Sequence, residues 1–514
     1  MGFWRGSTAC AVALAVLVLG GCGSDSDSGG SGAKEGGSDG SPAGPSKVVV
    51  ATATDPTTLD PQLADDGAER LVNDSIYDML LTRDPDGTLV PSLATELPKQ
   101  VNSTTWRFKL RDDVKFSNDE PFNADSVVTS VKRVLNPDFA SGQSGFYTGM
   151  KSAKKVDDTT VDIITSTEDP TLPNRMAFMK MVPPEASKAA DFGEKPVGTG
   201  PYLFENRTVG ESISLKANPN YWGDAPEVQE VEIRTLEDES ARLAALKSGE
   251  VDLILNLSPD FADQVPKFVN VPGAENMNVL LLNKEPAVTD DPRVRQALNY
   301  AIDKEAIAES LYSGYARPLK CSTVPPAAFG HNPNLEAYPY DPEKAKQLIK
   351  EAGAEGKPIS FVSTPDRWVK GREVSQAVTA YVEAIGLKPK LELKNWDNYL
   401  EDILAKRNRP DMLFHSSTND LLDADRQIST YYVSGSDLSS YKNDQVDKLA
   451  EEARSEPDKD KRLADYNELE KITCDDASHI FLVNLDDMYG MSENLEWQPR
   501  VDQRVFYKDM HLTG

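Results

Sequence analysis

The stretch "VGTGPYLFENRTVGESISLKANPNYWG", Val197 to Gly223, decides how the rest of the chain is read. Gly198-Thr199-Gly200 opens like a dinucleotide-binding loop, but Leu203 stands where that loop needs a further glycine. "SISLKA" (212–217) alternates apolar and polar residues and reads as a half-buried strand. Upstream, "GFYTGMKS" (145–152) is one residue short of a phosphate loop. The stretch therefore carries no nucleotide chemistry, and its meaning has to come from its surroundings.

Strands and helices alternate on both sides of it. "KVVVATAT" (47–54) is a first strand. Leu63, Ala64, Ala68, Leu71, Val72, Ile76 and Met79 recur at helical spacing. Trp106, Phe108 and Leu110 share one face of "TTWRFKL", and "TTVDIIT" and "VQEVEIRTL" are further strands. Asn123 and Asp238 are expected helix N-caps. Asp291-Pro292 and Asp341-Pro342 place an N-cap before a first-turn proline, and Gly353 ends the second of these helices. "MNVLLLN", "ISFVST", "KLELKN", "DMLFH" and "HIFLVN" complete a second block. Two blocks of alternating elements predict α/β domains with helices covering the sheets.

Composition narrows the function. The chain carries 83 acidic and 55 basic residues, a net charge of −28, which repels phosphate backbones and argues against nucleic acid as a partner. Its four histidines, His331, His415, His479 and His511, form no close ligand pair, and there is no CxxC, so no metal site and no cofactor are expected. The pattern GxSxG occurs only as Gly36–Gly40 within a Gly/Ser-rich stretch that offers no strand-to-helix turn, and no enzyme is expected. The acid pairs Asp65-Asp66 and Asp486-Asp487 read as turn formers or caps rather than acid/base machinery.

The first residues carry their own message. Arg5 precedes an apolar run, Thr8–Gly21, too short for a membrane span, which needs ~20 residues. Leu19-Gly20-Gly21-Cys22 resembles a bacterial lipobox, which implies a signal peptide over 1–21 and lipidation of Cys22. Residues 22–46 are Gly, Ser, Asp, Pro and Ala-rich, a tether that cannot bury enough surface to order itself. Its reach is roughly 25–30 Å. Cys10 leaves with the signal, so Cys321 and Cys474 remain as one disulfide or as two buried thiols, and an exported chain favours the bridge.

Taken together, these motifs are similar to one family. Val197–Gly223 resembles the signature of extracytoplasmic solute-binding proteins of the peptide/nickel class, family 5, the receptors of ABC importers. "TTLDPQLADD", "LVPSLATELP", "WRFKLRDDVKFSNDEPFNADSVV", "DPRVRQALNYAIDKEAI" and "YDPEKAKQLIKEAG" follow the family's order. The resemblance implies a two-lobe fold of the periplasmic-binding-protein type, with a hinge and an inserted subdomain. Lobe I is expected over 47–78, 193–318 and 483–514, its insertion over 79–192, and lobe II over 319–482. The crossings are expected near "ARPLKCSTVPP" and "HIFLVNLDDMY", with Cys321 and Cys474 both on the lobe II side. The implied role is a monomeric receptor, lipid-anchored outside the cytoplasmic membrane, that hands oligopeptides to permease subunits by hinge closure.

The resemblance also points to site residues. Peptide-binding relatives carry an aspartate for the ligand's ammonium group in the segment matching "DMLFHSSTNDLLDADRQIS" (411–429), where Asp420 takes that position and Asp423 that of the second acid. A buried ammonium needs such a partner. Asn419 and Ser417 flank it, and Trp396 matches a ligand-facing aromatic. Asp65, Asp66 and Gly67 lie on a segment that edges the ligand in relatives, and Tyr147 is a further candidate. Ser417, Leu421 and Ala424 replace the pattern's tryptophan, tyrosine and proline. Those departures keep open a non-peptide ligand: a metal chelate, which His415 would suit, a glycan or another polar metabolite. A secreted hydrolase is a third reading.

Overall fold

The structure, a computed structural model, describes residues 46–64, 66–282, 287–365, 367–396, 398–399, 409–436 and 438–513. The expected signal, tether, Cys22 and Asp65 lie outside the described residues.

Two long antiparallel strands organise the molecule, Lys267–Leu281 and His479–Met491. Lys267–Val271 pairs with Met491–Asp487, and after a register break Glu275–Leu280 pairs with Leu485–His479. Below the break the sheet continues through Leu253–Ile254, Lys47–Thr52, Glu230–Thr235, Ser212–Ala217 and Tyr202–Thr208. Above it the sheet continues through Met412–Ser417, Pro358–Ser363 and Lys388–Leu393. One sheet thus runs through two lobes, and the paired strands cross between them. Gly273 lies in the break with φ +68°, and a Cβ there would fall 2.5 Å from the Asn484 amide oxygen. Its N–H donates to Asp486 Oδ1 at 3.0 Å, and Arg317 and Asn270 hold the same carboxylate. Asp486 therefore shapes the crossing, and Asp66 caps the helix Gly67–Ile76 in a capping box with Glu69. That box starts the helix four residues after Leu63, which lies in a turn ahead of it.

The helices Pro292–Ala301 and Lys304–Tyr312 are expected with the first lobe. Val294, Leu298 and Ile307 lie in a core with Ile349, Phe361, Val374 and Val378 of the second, and that core also takes in Ala51, Leu246 and Ile254 of the first. Upstream of both helices lies the strand Lys267–Leu281, whose Pro272-Gly273 reads locally as a turn. The segment Ala316–Pro318 pairs alongside Leu485–Val483 at the same junction. Cys321 and Cys474 are bridged, tying the chain just after that segment to the end of the helix Lys459–Asp475.

A separate four-stranded sheet (Lys99–Asn102, Thr105–Lys109, Thr160–Thr165, Met150–Asp157) packs with the helix Ala124–Val134 around its own core, including Phe108, Val131, Ile163 and Met179. The bridge between Met79 and Lys180 closes this unit where the chain enters and leaves it. The Val197–Gly223 stretch clamps the same junction. Thr199 and the Trp222 indole N–H each donate to Asp78 Oδ2 at 2.9 Å. Gly198 lies against Ile76, where a Cβ would meet the carbonyl oxygen at 2.0 Å. The decisive stretch is thus an architectural clamp.

Candidate functional site

The strand Met412–Ser417 ends at the seam between the lobes, and the loop that follows it carries the acids. Asn419 is a brace there: its side-chain amide donates to the Asp423 carbonyl, and its Oδ1 accepts from the Asp423 N–H. Asp423 is held by Arg462 (2.9 Å) and Asp425 by Arg175 (2.8 Å) and Arg454 (2.9 Å). Arg175, together with Asn174 on Asp423 and Arg83 on the Leu421 carbonyl, reaches from the inserted unit, so the loop is gripped from both sides. Buried carboxylates of this kind persist only when paired.

Asp420 is buried with two guanidinium partners. Its Oδ2 accepts from Arg70 Nη2 at 2.8 Å, across the lobes, and its Oδ1 from Arg426 Nε at 3.2 Å. Burial opposes its ionisation, but Arg426 and Arg70 overcome that and hold the carboxyl below its ordinary range. Both arginines are set on aromatic faces. The Arg70 Cζ lies 4.6 Å from the Phe178 ring centroid and Arg426 4.0 Å from that of Phe146. The two rings stack on each other at 5.1 Å. Phe146, not Tyr147, is thus the residue of "SGFYTG" that faces the seam. Tyr147 is a correction: it is buried in the core of the inserted unit. The turn is a short 3-10 helix, Ser144–Tyr147, whose facing cannot be read from a 3.6-residue period.

Asp66 and Trp396 meet through Arg367. Its guanidinium donates to Asp66 at 2.6 Å and lies 4.9 Å from the Trp396 ring centroid. Trp396 stacks on Tyr399 and meets Trp368 edge-on. Gly67 is the first residue of the helix capped by Asp66, and a side chain there would meet nothing nearby. His415 lies beside this aromatic group, and both ring nitrogens are engaged: Nε2 with the Tyr431 hydroxyl at 2.9 Å, Nδ1 with that of Tyr399 at 3.3 Å. Burial, with Arg367 and Arg426 adding repulsion, depresses its pKa to about 3, so the imidazole is neutral. With both nitrogens in hydrogen bonds it is poorly placed to ligate a metal, and no group of three or more His, Cys, Asp or Glu among the described residues could hold one. Ser417 is buried in the sheet opposite Asn276.

On the crossing strands, burial raises the Glu275 carboxyl, which accepts from Ser416, and pushes Asp487 up to about 7, where the Tyr489 hydroxyl donates to it. Glu275, Arg70, Arg367 and Arg426 carry no motif signal, and Asp487 stands out in sequence only as half of the Asp486-Asp487 pair. Only the fold brings them together. The seam offers paired acid and guanidinium groups on an aromatic lining, which suits a polar or zwitterionic solute.

The family model for bacterial extracellular solute-binding proteins, family 5, matches residues 88–439. Heme-binding protein A of Haemophilus influenzae is 29% identical, over 91% of this chain and 92% of its own length. The dipeptide-binding protein of Escherichia coli is also 29% identical, over 77% of this chain and 81% of its own. Among solved structures, the periplasmic binding protein DppA of Helicobacter pylori in complex with the peptide STSA superposes with a TM-score of 0.81 at 23% identity, covering 91% of this chain and 98% of that one. The chain belongs to family 5 of the bacterial extracellular solute-binding proteins, the receptors through which ABC importers take up peptides and related solutes.

Proposed function

We propose that this chain is a lipid-anchored receptor that captures oligopeptides outside the cell and delivers them to its permease by hinge closure, without chemical change. One observation carries the reading: a buried aspartate, Asp420, sits at the seam of the two lobes and is held ionised there. A ligand ammonium entering the seam would lose its water and needs such a partner. The dipeptide-binding and STSA-binding relatives support a peptide. His415, with both nitrogens in hydrogen bonds, lends a metal chelate little support.

The lobes divide at the register break. Lobe I comprises 47–78, 193–271 and 487–514, with the insertion at 79–192, and lobe II comprises 275–485. Cys22 anchors the receptor, and the tether behind it lets the body swing. Cys22→Ser should release the protein into the medium or leave an unprocessed precursor; retention at mature size on the membrane would place the anchor elsewhere. Peptide mapping without reduction should recover Cys321 linked to Cys474, and free thiols at both would contradict the bridge. Small-angle scattering should show a smaller radius of gyration with a bound peptide, and an unchanged profile with binding confirmed by calorimetry would refute closure.

A further inference from the structure

We propose that this chain has a second solute site, apart from Asp420, that takes a small carboxylate carrying one flat apolar ring. The inference does not rest on the receptor reading above.

The site is a cavity of about 480 Å³, within the range of ordinary small-molecule pockets, roughly 300–1,000 Å³. It forms where three segments meet: residues 78–92 around the entrance to the inserted unit, the clamp stretch with Tyr221 and Trp222, and the C-terminal return over 498–509. Asp420, Arg70, Arg426 and Trp396 are not among its lining residues.

Its walls are apolar and stiff. Trp222 and Phe506 line it together with Pro85, Pro91 and Pro201. Trp222 is fixed by its indole hydrogen bond to Asp78 and by Arg111, whose Cζ lies 4.4 Å from the ring centroid. Phe506 is held by Arg500, whose Cζ lies 4.8 Å from its centroid. Fixed rings and prolines have little freedom left to lose when a flat body packs on them.

The free valence of the cavity is cationic. Arg500 lines it and is only 3% exposed. Its Nε and Nη2 hold Asp502 at 2.9 and 2.8 Å, and Nη2 also donates to the Arg83 carbonyl at 2.7 Å. Its Nη1 makes no hydrogen bond among the described residues. An unused N–H on a guanidinium this enclosed is suited to a carboxylate oxygen. Lys508 also lines the cavity, is exposed, and has neither hydrogen bond nor ion pair among the described residues. The buried acids nearby are already engaged. Asp78 accepts from Trp222 and Thr199, Asp502 from Arg500, and Asp74 from Lys180 and Arg504. Asp84 and Asp509 line the cavity from exposed positions, where water and salt screen them. A neutral ring would fill the walls and leave Arg500 unanswered; a ring with a carboxylate satisfies both.

Phenylacetate and phenylacetamide test this, since they share a shape and differ in charge. Each is titrated into the purified protein by ligand-observed NMR at about 0.15 M salt, which screens the protein's net charge of −28. Phenylacetate should bind in the millimolar range or tighter, and at least about tenfold tighter than the amide, as for a charged hydrogen bond. Lys508→Met, a change at an exposed position, should weaken phenylacetate about three- to fivefold. Asp420→Asn should leave phenylacetate binding unchanged. The inference is overturned if the amide binds as tightly as the acid, or if neither binds at about 10 mM. It is also overturned if Lys508→Met has no effect, or if Asp420→Asn abolishes binding, since the carboxylate would then sit elsewhere. The acid-to-amide ratio in the unmodified protein is decisive even where a variant fails to fold, and its failure leaves the receptor reading untouched.

Discussion

Two clusters in this protein have the same composition, one aspartate between two basic side chains, and opposite uses. In the first, Asp74 accepts from Lys180 (2.9 Å) and Arg504 (2.7 Å), and the three side chains are 0%, 1% and 5% exposed. It ties the capped helix Gly67–Ile76, the end of the inserted unit and the C-terminal return into one body. In the second, Asp420 is 3% exposed, but Arg70 and Arg426 retain 19% and 25%. Its partners come from different lobes. A sealed cluster whose members belong to one body is a staple. A cluster that is sealed at the acid, open at the bases and shared between the lobes is what we propose as the site. The pKa directions agree: both aspartates are held low by their basic neighbours against the cost of burial. The shift alone therefore does not separate staple from site; exposure and connectivity do.

The largest effect should come from the staple. Asp74→Asn keeps the shape but leaves Lys180 and Arg504 buried without their anion, and breaking such a cluster costs about 3–5 kcal/mol. Urea denaturation should show that loss, while the folded fraction keeps its ligand affinity. A loss below about 1 kcal/mol would erase the distinction between the clusters.

Asp420→Asn should show the reverse pattern. Arg70 and Arg426 can rehydrate through the seam, so we expect stability to fall by about 1–2 kcal/mol, in the range for a lost charged hydrogen bond. Affinity should fall by about 2–5 kcal/mol, because the bound state has no water to replace the lost charge. Equal losses of stability in the two variants would show that Asp420 is a second staple.

A third, smaller test uses pH at the crossing strands. Burial raises Asp487 from 3.8 to about 7, so the folded state binds its proton more tightly than the unfolded state does. Its stabilising contribution is present below pH 3.8 and is lost as pH rises through 7. Asp487→Asn should therefore raise stability by about 1–2 kcal/mol at pH 8 relative to the parent, at 1.36 kcal/mol per unit discounted for partial exposure. It should gain little at pH 4. A pH-independent difference would show that the carboxyl does not titrate there.

The same contrast explains what could be read before the fold was known. Helix caps were legible because their chemistry is local: Asn123, Asp238, Asp291 and Asp341 each cap the helix they precede. The resemblance singles out Asp420, whose role toward a ligand is our proposal. The partner of Asp420, Arg70, 350 positions away, was not legible, because no local rule links a helix arginine to a distant loop. Nor was the full length of Lys267–Leu281, whose Pro272-Gly273 is a turn signal unless Asp486 lies opposite to receive the Gly273 N–H. Sequence does not separate the inserted unit's Phe146 from its neighbour Tyr147, because one short turn carries no periodicity. What sequence hides here is contact between lobes, and the proposed site is made of it.

Native mass spectrometry of the protein purified under mild conditions tests the central claim most directly. The account predicts a non-covalent adduct in the parent that leaves unchanged on denaturation, persists in Asp74→Asn molecules that remain folded, and is lost from Asp420→Asn. An adduct retained at equal occupancy in Asp420→Asn would contradict it, because the solute would then be held somewhere other than the seam between the lobes.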